Sequence, residues 1–308
     1  MSVHAINDAG FRPLDWSALE ETRAAESVIP DLLNKGESGA VIGSAGVGKS
    51  LLGLDIVVAL ARGEPVLGQP AGDPITVMYI DMENPQAELA QRLRSLGYAP
   101  TEMVGYPLLY FSFPDLPPLD TARGGSMLAL EVERFDPQLI MFDSISRFVE
   151  GKEDAADTWQ DFYANTMVPL RRQNRTVLRL DHQGHDTSKG ARGSSAKRDD
   201  VDVAWIMKRK GNDIELKLDK GRGMGHPDRI ELRRHVKPLR HLPISVRSKL
   251  DNCIEAMDTL HIRLDASRDE AAEMLRDSGY RFGNSLLGEA LKCRRPSPSE
   301  RTAYPADR

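Results

Sequence analysis

The sequence predicts an α/β fold: a mostly parallel sheet extended by antiparallel strands, followed by a small C-terminal helical segment. Three observations carry this. Between residues 36 and 182, short apolar runs that read as buried strands alternate with helical stretches, the pattern of right-handed β-α-β crossovers. After Gly184 the alternation gives way to strand-like runs separated by glycine turns, the pattern of antiparallel strands. From about Ser245 the periodicity turns helical again.

Taken in order, residues 1–35 are polar and mixed and form an N-terminal arm with one helix expected at Trp16–Ser27, either a fraying tail or a segment that docks on a neighbouring subunit. Ala40-Val41-Ile42 is the first buried strand, and Leu51–Ala61 reads as an apolar helix. Thr76–Met82 is strand-like; Asn84-Pro85 supplies an N-cap with proline at the first helical position, and Gly97 ends that helix. Leu108–Phe113 is a third strand, Ser126–Phe135 a helix and Gln138–Asp143 a fourth strand. Asp154 or Asp157 opens a long amphipathic helix to about Gln173, before a fifth strand at Thr176–Asp181. A loop rich in Gly, Ser, Lys and Arg runs to about Arg198, and Val201–Lys208, Ile214–Leu218 and Arg229–His235 complete the antiparallel extension. The organisation read from this is an arm at 1–35, a main domain at 36–240, a small helical (or winged-helix) segment at 245–295 and a disordered tail at 296–308, without internal repeats.

Composition narrows the class. With 308 residues, 40% hydrophobic and 28% charged, the chain suits one large α/β domain plus an appendage. The net charge of −5 announces no global nucleic-acid field, so local charge has to be read instead. Cys253 and Cys293 are the only cysteines and have no metal-ligand spacing, which suits a reducing compartment. The first residues contain no apolar signal core, and the apolar run near Leu51 is broken by Gly53 and Asp55. The expectation is therefore a cytoplasmic protein without a membrane partner.

Between the first strand and the first helix lies Gly43-Ser44-Ala45-Gly46-Val47-Gly48-Lys49-Ser50, a full match to the G-x-x-x-x-G-K-[ST] phosphate loop in its proper context. Glycines let backbone N–H groups turn inward around a phosphate, and the following helix contributes its positive N-terminal end. These eight residues and Leu51 are the candidate nucleotide cradle, with Lys49 reaching the β- and γ-phosphates of ATP and Ser50 ligating Mg²⁺. Asp143 closes the apolar strand Gln138–Asp143, where a carboxylate would sit beside Ser50 and hold the same Mg²⁺ through water. Glu83 lies just past the strand Thr76–Met82. If that strand neighbours the phosphate-loop strand, Glu83 faces the γ-phosphate as a base; it equally suits the N-terminus of the following helix.

The order GSAGVGKS, YIDMENP, LIMFDSISRF and LRLDHQGHDTSKGARGSSAKRDDVDVAW resembles the RecA-like P-loop ATPases, above all the plasmid RepA-type hexameric replicative helicases with the DnaB-type family behind them. The resemblance covers roughly residues 25–240. It implies that Glu83 is the catalytic base, that His182 senses the γ-phosphate, and that Gly184–Ser195 is a mobile DNA-binding loop in which Lys189 and Arg192 grip single-strand phosphates. It also implies that Lys220 and Arg222, in Asp219-Lys220-Gly221-Arg222, enter the neighbouring subunit's ATP site, where an arginine stabilises the charge of the transferring phosphoryl group. Arg147 matches a family arginine, a surface salt bridge being the other reading. From His185 to Arg240 there are 15 Lys and Arg against 9 Asp and Glu, a basic region in an acidic chain. Asp199, Asp200 and Asp202 dilute that charge, and no primase or zinc-binding segment is read ahead of the ATPase residues, so priming is expected from another protein.

The expected function is thus an ATP-dependent helicase or translocase on single-stranded DNA, acting as a hexameric ring in plasmid, phage or mobile-element replication, with a replication initiator or primase as further partner. The second reading is a RecA-fold regulatory or recombination-accessory ATPase that unwinds nothing. A nucleotide kinase is disfavoured because no arginine-rich acceptor lid is present.

Overall fold

The computed structural model describes Trp16 and residues 26–183, 195–223, 225–244 and 249–294. The chain divides into two compact units, residues 1–244 and 245–308. In the first, a small antiparallel pair, β1 (Ser27–Ile29) and β2 (Leu33–Asn34), precedes β3 (Ser38–Gly43), all of whose residues are buried. Helix α1 (Lys49–Arg62) follows the phosphate loop and stops at Gly63, whose left-handed φ of 66° lets its N–H reach the carbonyls of Ala59 and Leu60. Next come β4 (Val77–Asp81), α2 (Gln86–Ser95), β5 (Leu108–Ser112), α3 (Ala122–Phe135) and β6 (Leu139–Asp143). The long helix is α4 (Ala156–Phe162), a π-helical turn at Tyr163–Met167, and α5 (Val168–Arg172). Then follow β7 (Thr176–His182), the short α6 (Ser195–Asp199), β8 (Val203–Lys210), β9 (Asp213–Gly221), β10 (Arg229–Val236) and β11 (Leu239–Pro243).

These strands form one nine-stranded sheet in the order β11-β10-β9-β8-β3-β7-β6-β4-β5. From β5 to β8 every pairing is parallel; β8-β9, β9-β10 and β10-β11 are antiparallel. The fold is therefore the expected RecA-like α/β P-loop arrangement. Alternation along the strands sorts the core onto two faces. Val77 and Tyr79 of β4 and Met141 of β6 join Leu52, Ile56 and Val57 of α1 on one face. Met78, Ile80, Ile140 and Phe142 meet Leu128, Val132, Trp159 and Phe162 from α3 and α4 on the other.

Four details differ from the sequence reading. The strand beginning near Val201 is not the first antiparallel strand: β8 pairs parallel with β3, because α6 forms a crossover too short and too charged to show helical periodicity. Strand β11 was not expected; it returns after Lys237-Pro238 and pairs with β10. Pro85, not Asn84, occupies the N-cap of α2, and Ala155, not an aspartate, that of α4. Ser27 opens β1, and of the helix expected at Trp16–Ser27 residues 17–25 lie outside the described residues, as does the tail at 296–308.

The second unit contains α7 (Lys249–Thr259), α8 (Arg268–Asp277) and α9 (Asn284–Arg294), packed through Cys253, Met257, Leu275, Leu287 and Leu291. Ser267 and Glu270 form a capping box at the start of α8. Among the described residues no helix is long and apolar enough to cross a membrane.

Candidate functional site

The carboxyl ends of the parallel strands carry the site, where open α/β sheets bind ligands. Gly43 of β3 lies opposite His182 of β7, and Asp81 of β4 opposite Asp143 of β6. The phosphate loop leaves β3 at this edge. Gly46 and Gly48 have φ of 73° and 109°, and a Cβ at Gly46 would meet nothing within 4 Å, so the loop is an open cradle. Lys49 Nζ donates to the carbonyls of Gly43 (2.8 Å) and Ser44 (3.1 Å). Burial depresses its pKa, while the carboxylates of Asp143, Glu83 and Asp181 oppose that shift. A cation held among acids beside an open helix N-terminus is suited to a polyphosphate.

Ser50 Oγ donates to Asp143 Oδ1 at 3.1 Å, and the Tyr79 hydroxyl donates to Asp143 Oδ2 at 2.7 Å. Tyr79 stacks on Tyr110, whose hydroxyl bonds Asp81. Hard oxygens at Ser50 and Asp143 fit Mg²⁺, which is usually held by one or two carboxylates with substrate phosphates. Among the described residues no group of three or more His, Cys, Asp and Glu forms a metal cage. Burial raises the Asp143 pKa to about 6, partly offset by the Tyr79 hydrogen bond. The acid is thus protonated below pH 6 and ionised above it, and a proton there competes with Mg²⁺. We expect the Mg²⁺ concentration needed for half-maximal nucleotide binding to rise by about tenfold per pH unit once pH falls below that value. Tyr79→Phe removes a bond that favours the carboxylate, so its acid limb should move to higher pH. An Mg²⁺ requirement that stays flat from pH 8 to pH 5 would remove Asp143 from the metal site.

Glu83 reaches the same edge by a route different from the one expected. β4 does not neighbour β3; β6 and β7 stand between them. Residues at the end of β7 and just past the ends of β6 and β4 close the gap. Ser144 Oγ donates to Glu83 Oε1 at 2.6 Å, and His182 Nε2 lies 3.2 Å from the same oxygen. The His182 hydrogen bond, with help from Ser144 and against burial, lowers the Glu83 pKa to about 2. Arg147 is exposed and its charge also acts on Glu83; among the described residues it makes no ion pair. Behind His182, Asp181 Oδ1 accepts from the His182 N–H (2.7 Å) and pairs with the buried Lys197 (2.5 Å), whose ammonium lies over the Trp159 ring. Asp81, the other acid in this stretch, is engaged elsewhere. Its carboxylate takes the N–H groups of Glu83 and Asn84 and the Asn84 amide, and so shapes the turn.

The structure thus brings together Lys49, Ser50, Glu83, Asp143 and His182. It does not bring Lys220 and Arg222 to them. Lys220 pairs with Ala204 and Gly221 with Val203, which lies beside Gly39 at the start of β3. Lys220 Nζ donates to the carbonyls of Arg198 and Asp199, and Arg222 donates to the carbonyl of Asp199. From Ser38 to Gly43 the strand covers about 17 Å at ~3.3 Å per residue, so Arg222 and Lys49 stand at opposite ends of the sheet. Lys189 and Arg192 lie outside the described residues. Sequence reasoning missed Tyr79, Ser144 and Lys197. A tyrosine inside a strand and a lysine in a charged loop carry no motif; the Asp81–Asn84 turn, read only as an N-cap at Asn84, carried a spacing that could have revealed it.

Compared with known families, residues 9–188 match the model described as an AAA domain. The match takes in Lys49, Ser50, Glu83, Asp143 and His182 and ends before Lys220 and Arg222. No curated protein matched the chain.

Proposed function

The chain belongs to the AAA domain family, and from that footing we propose that this P-loop ATPase-type domain works as a ring, hexameric by resemblance, that moves on single-stranded DNA and unwinds duplex during plasmid, phage or mobile-element replication. The hydrolytic half of the reading rests on the row of side chains along one sheet edge. Lys49 neutralises the β- and γ-phosphates, Ser50 and Asp143 would hold Mg²⁺, and Glu83 takes a proton as water attacks the γ-phosphorus and the bond to the β–γ bridging oxygen breaks. With His182 and Ser144 stabilising its charge, Glu83 is a weak base. A γ-phosphate that draws His182 away raises its basicity, which ties proton transfer to occupancy of the site.

The observation that carries the ring is the placement of Lys220 and Arg222. They cannot serve their own Lys49 from the far end of the sheet, so as phosphoryl-stabilising groups they need a second copy of the chain. The DNA reading is supported by the basic stretch from His185 to Arg240 and by the RepA-type motif order. Two measurements test the proposal together: particle images, expected to show a six-fold ring with a pore, and ATPase rate with and without single-stranded DNA. Turnover indifferent to DNA in a chain that unwinds nothing would make it a switch ATPase instead.

The loop has its own test. Lys189→Ala with Arg192→Ala should weaken single-stranded DNA binding and the DNA-stimulated part of turnover. Every DNA phosphate deprived of its basic partner should flatten the log–log salt dependence by roughly 0.7. Unchanged affinity and slope would take this loop off the DNA path.

A further inference from the structure

The phosphate loop has two flanks. On the β7-β6-β4 side stand His182, Asp143 and Glu83. On the β8-β10 side stand two arginines that the ATPase reading leaves without a task. Arg209 lies near the end of β8, Arg234 on β10, and both guanidinium groups reach back to the loop. A Cβ on Gly48 would sit 3.6 Å from Arg234 Nη1 and 3.9 Å from Arg209 Nη1.

Among the described residues neither charge has an acidic partner. Arg234 is half-buried, and its Nε is buried without a hydrogen-bond partner. Burial and the neighbouring Arg209 both depress its pKa, and among the described residues no carboxylate acts against them. Arg209 is exposed, and among the described residues it has no ion pair. Two like charges held this close are destabilising until an anion lies between or beside them. The planar fork of a guanidinium matches phosphate oxygens, two at a time.

Direction decides which anion. If the γ-phosphate lies towards Glu83 and His182, a nucleotide crossing the loop must carry its nucleoside end out over the other flank. We propose that Arg209 and Arg234 hold the α-phosphate end of the bound nucleotide, as the counterpart on the β8-β10 side of the carboxylate row on the other. This rests on the ATPase reading and adds to it a pair of binding residues that lie beyond the family match at residues 9–188.

The test is calorimetric titration of the full chain with ADP and Mg²⁺, alongside steady-state hydrolysis of ATP. Arg209→Ala and Arg234→Ala should each weaken ADP binding by about tenfold or more, the effect of losing one hydrogen bond to a charged group. KM for ATP should rise in step while kcat changes by less than twofold. Arg209→Lys should recover part of the affinity, since it keeps the charge and loses the fork. Because Arg209 is exposed, its variants answer the question even where Arg234→Ala melts early. ADP affinity within twofold of wild type in Arg209→Ala and Arg209→Lys would overturn the inference and leave the ATPase standing. Single-stranded DNA binding lost while ADP affinity is kept would also overturn it, by assigning the arginines to DNA. A wild-type chain that binds no ADP would overturn both readings at once.

Discussion

Lys49→Ala should lose hydrolysis by on the order of 10³-fold and bind nucleotide weakly, because phosphoryl transfer depends on charge placed in advance around the phosphates. Lys49 lies at the loop itself, and three carboxylates, Asp143, Glu83 and Asp181, act on it. Its removal leaves a nucleotide's charge facing those acids without their counter-ion. Glu83→Gln should separate binding from chemistry. The amide keeps the side chain's size and can still accept from Ser144, but it takes no proton from water. ATP should therefore bind and persist, visible as nucleotide that co-purifies or is retained unhydrolysed through a single-turnover chase. A Glu83→Gln protein that hydrolyses ATP at the wild-type rate would remove Glu83 as the base. Asp81 could not then take over without dismantling the turn it shapes through Asn84 and two backbone N–H groups.

What the sequence made legible was local. Gly43–Ser50 and the strand ending in Asp143 are contiguous motifs, and both took their expected places at one sheet edge, with Ser50 on Asp143. Parallel order was legible as a class, because buried strands on both faces leave continuous apolar runs such as Leu139–Phe142. Strand neighbours were not. Glu83 was placed by supposing β4 beside β3, yet the acid arrives from three strands away because Ser144, just past β6, and His182, the last residue of β7, meet it. Pairing order is set by crossovers, and a periodic pattern carries no trace of which strand a crossover skips. β8 illustrates the same limit: the five residues of α6 turn a strand that looks like a hairpin partner into a parallel neighbour of β3. β11 stayed hidden because Leu239 and His241 are buried for different reasons, the first in the core and the second as partner to Asp55 of α1 at 2.9 Å. Single-sequence hydropathy reads that histidine as surface.

The ring itself can be tested without seeing it. If Arg222, with Lys220, completes a neighbour's site, each active centre joins Lys49 of one subunit to Arg222 of the next. Arg222→Ala alone should then be nearly inactive, since an arginine finger contributes on the order of 10³-fold or more to the rate. Its side chain is 51% exposed and, among the described residues, reaches a carbonyl and, at 3.7 Å, Asp202, so its loss should leave the fold intact. Lys49→Ala should be inactive for a separate reason. Mixed in equal amounts as exchanging subunits, the two variants place an intact Lys49 against an intact Arg222 at about a quarter of interfaces in a head-to-tail ring. Those interfaces should hydrolyse ATP, and the recovered rate should peak near equal mixing and fall away on either side. Exchange has to be established independently, by co-purifying differently tagged chains. Proven mixed oligomers with no recovery at any ratio would mean that Arg222 stabilises no neighbour's phosphate. Since the sheet keeps it from its own Lys49, that result would leave Arg222 as a tether for Asp199 and nothing more.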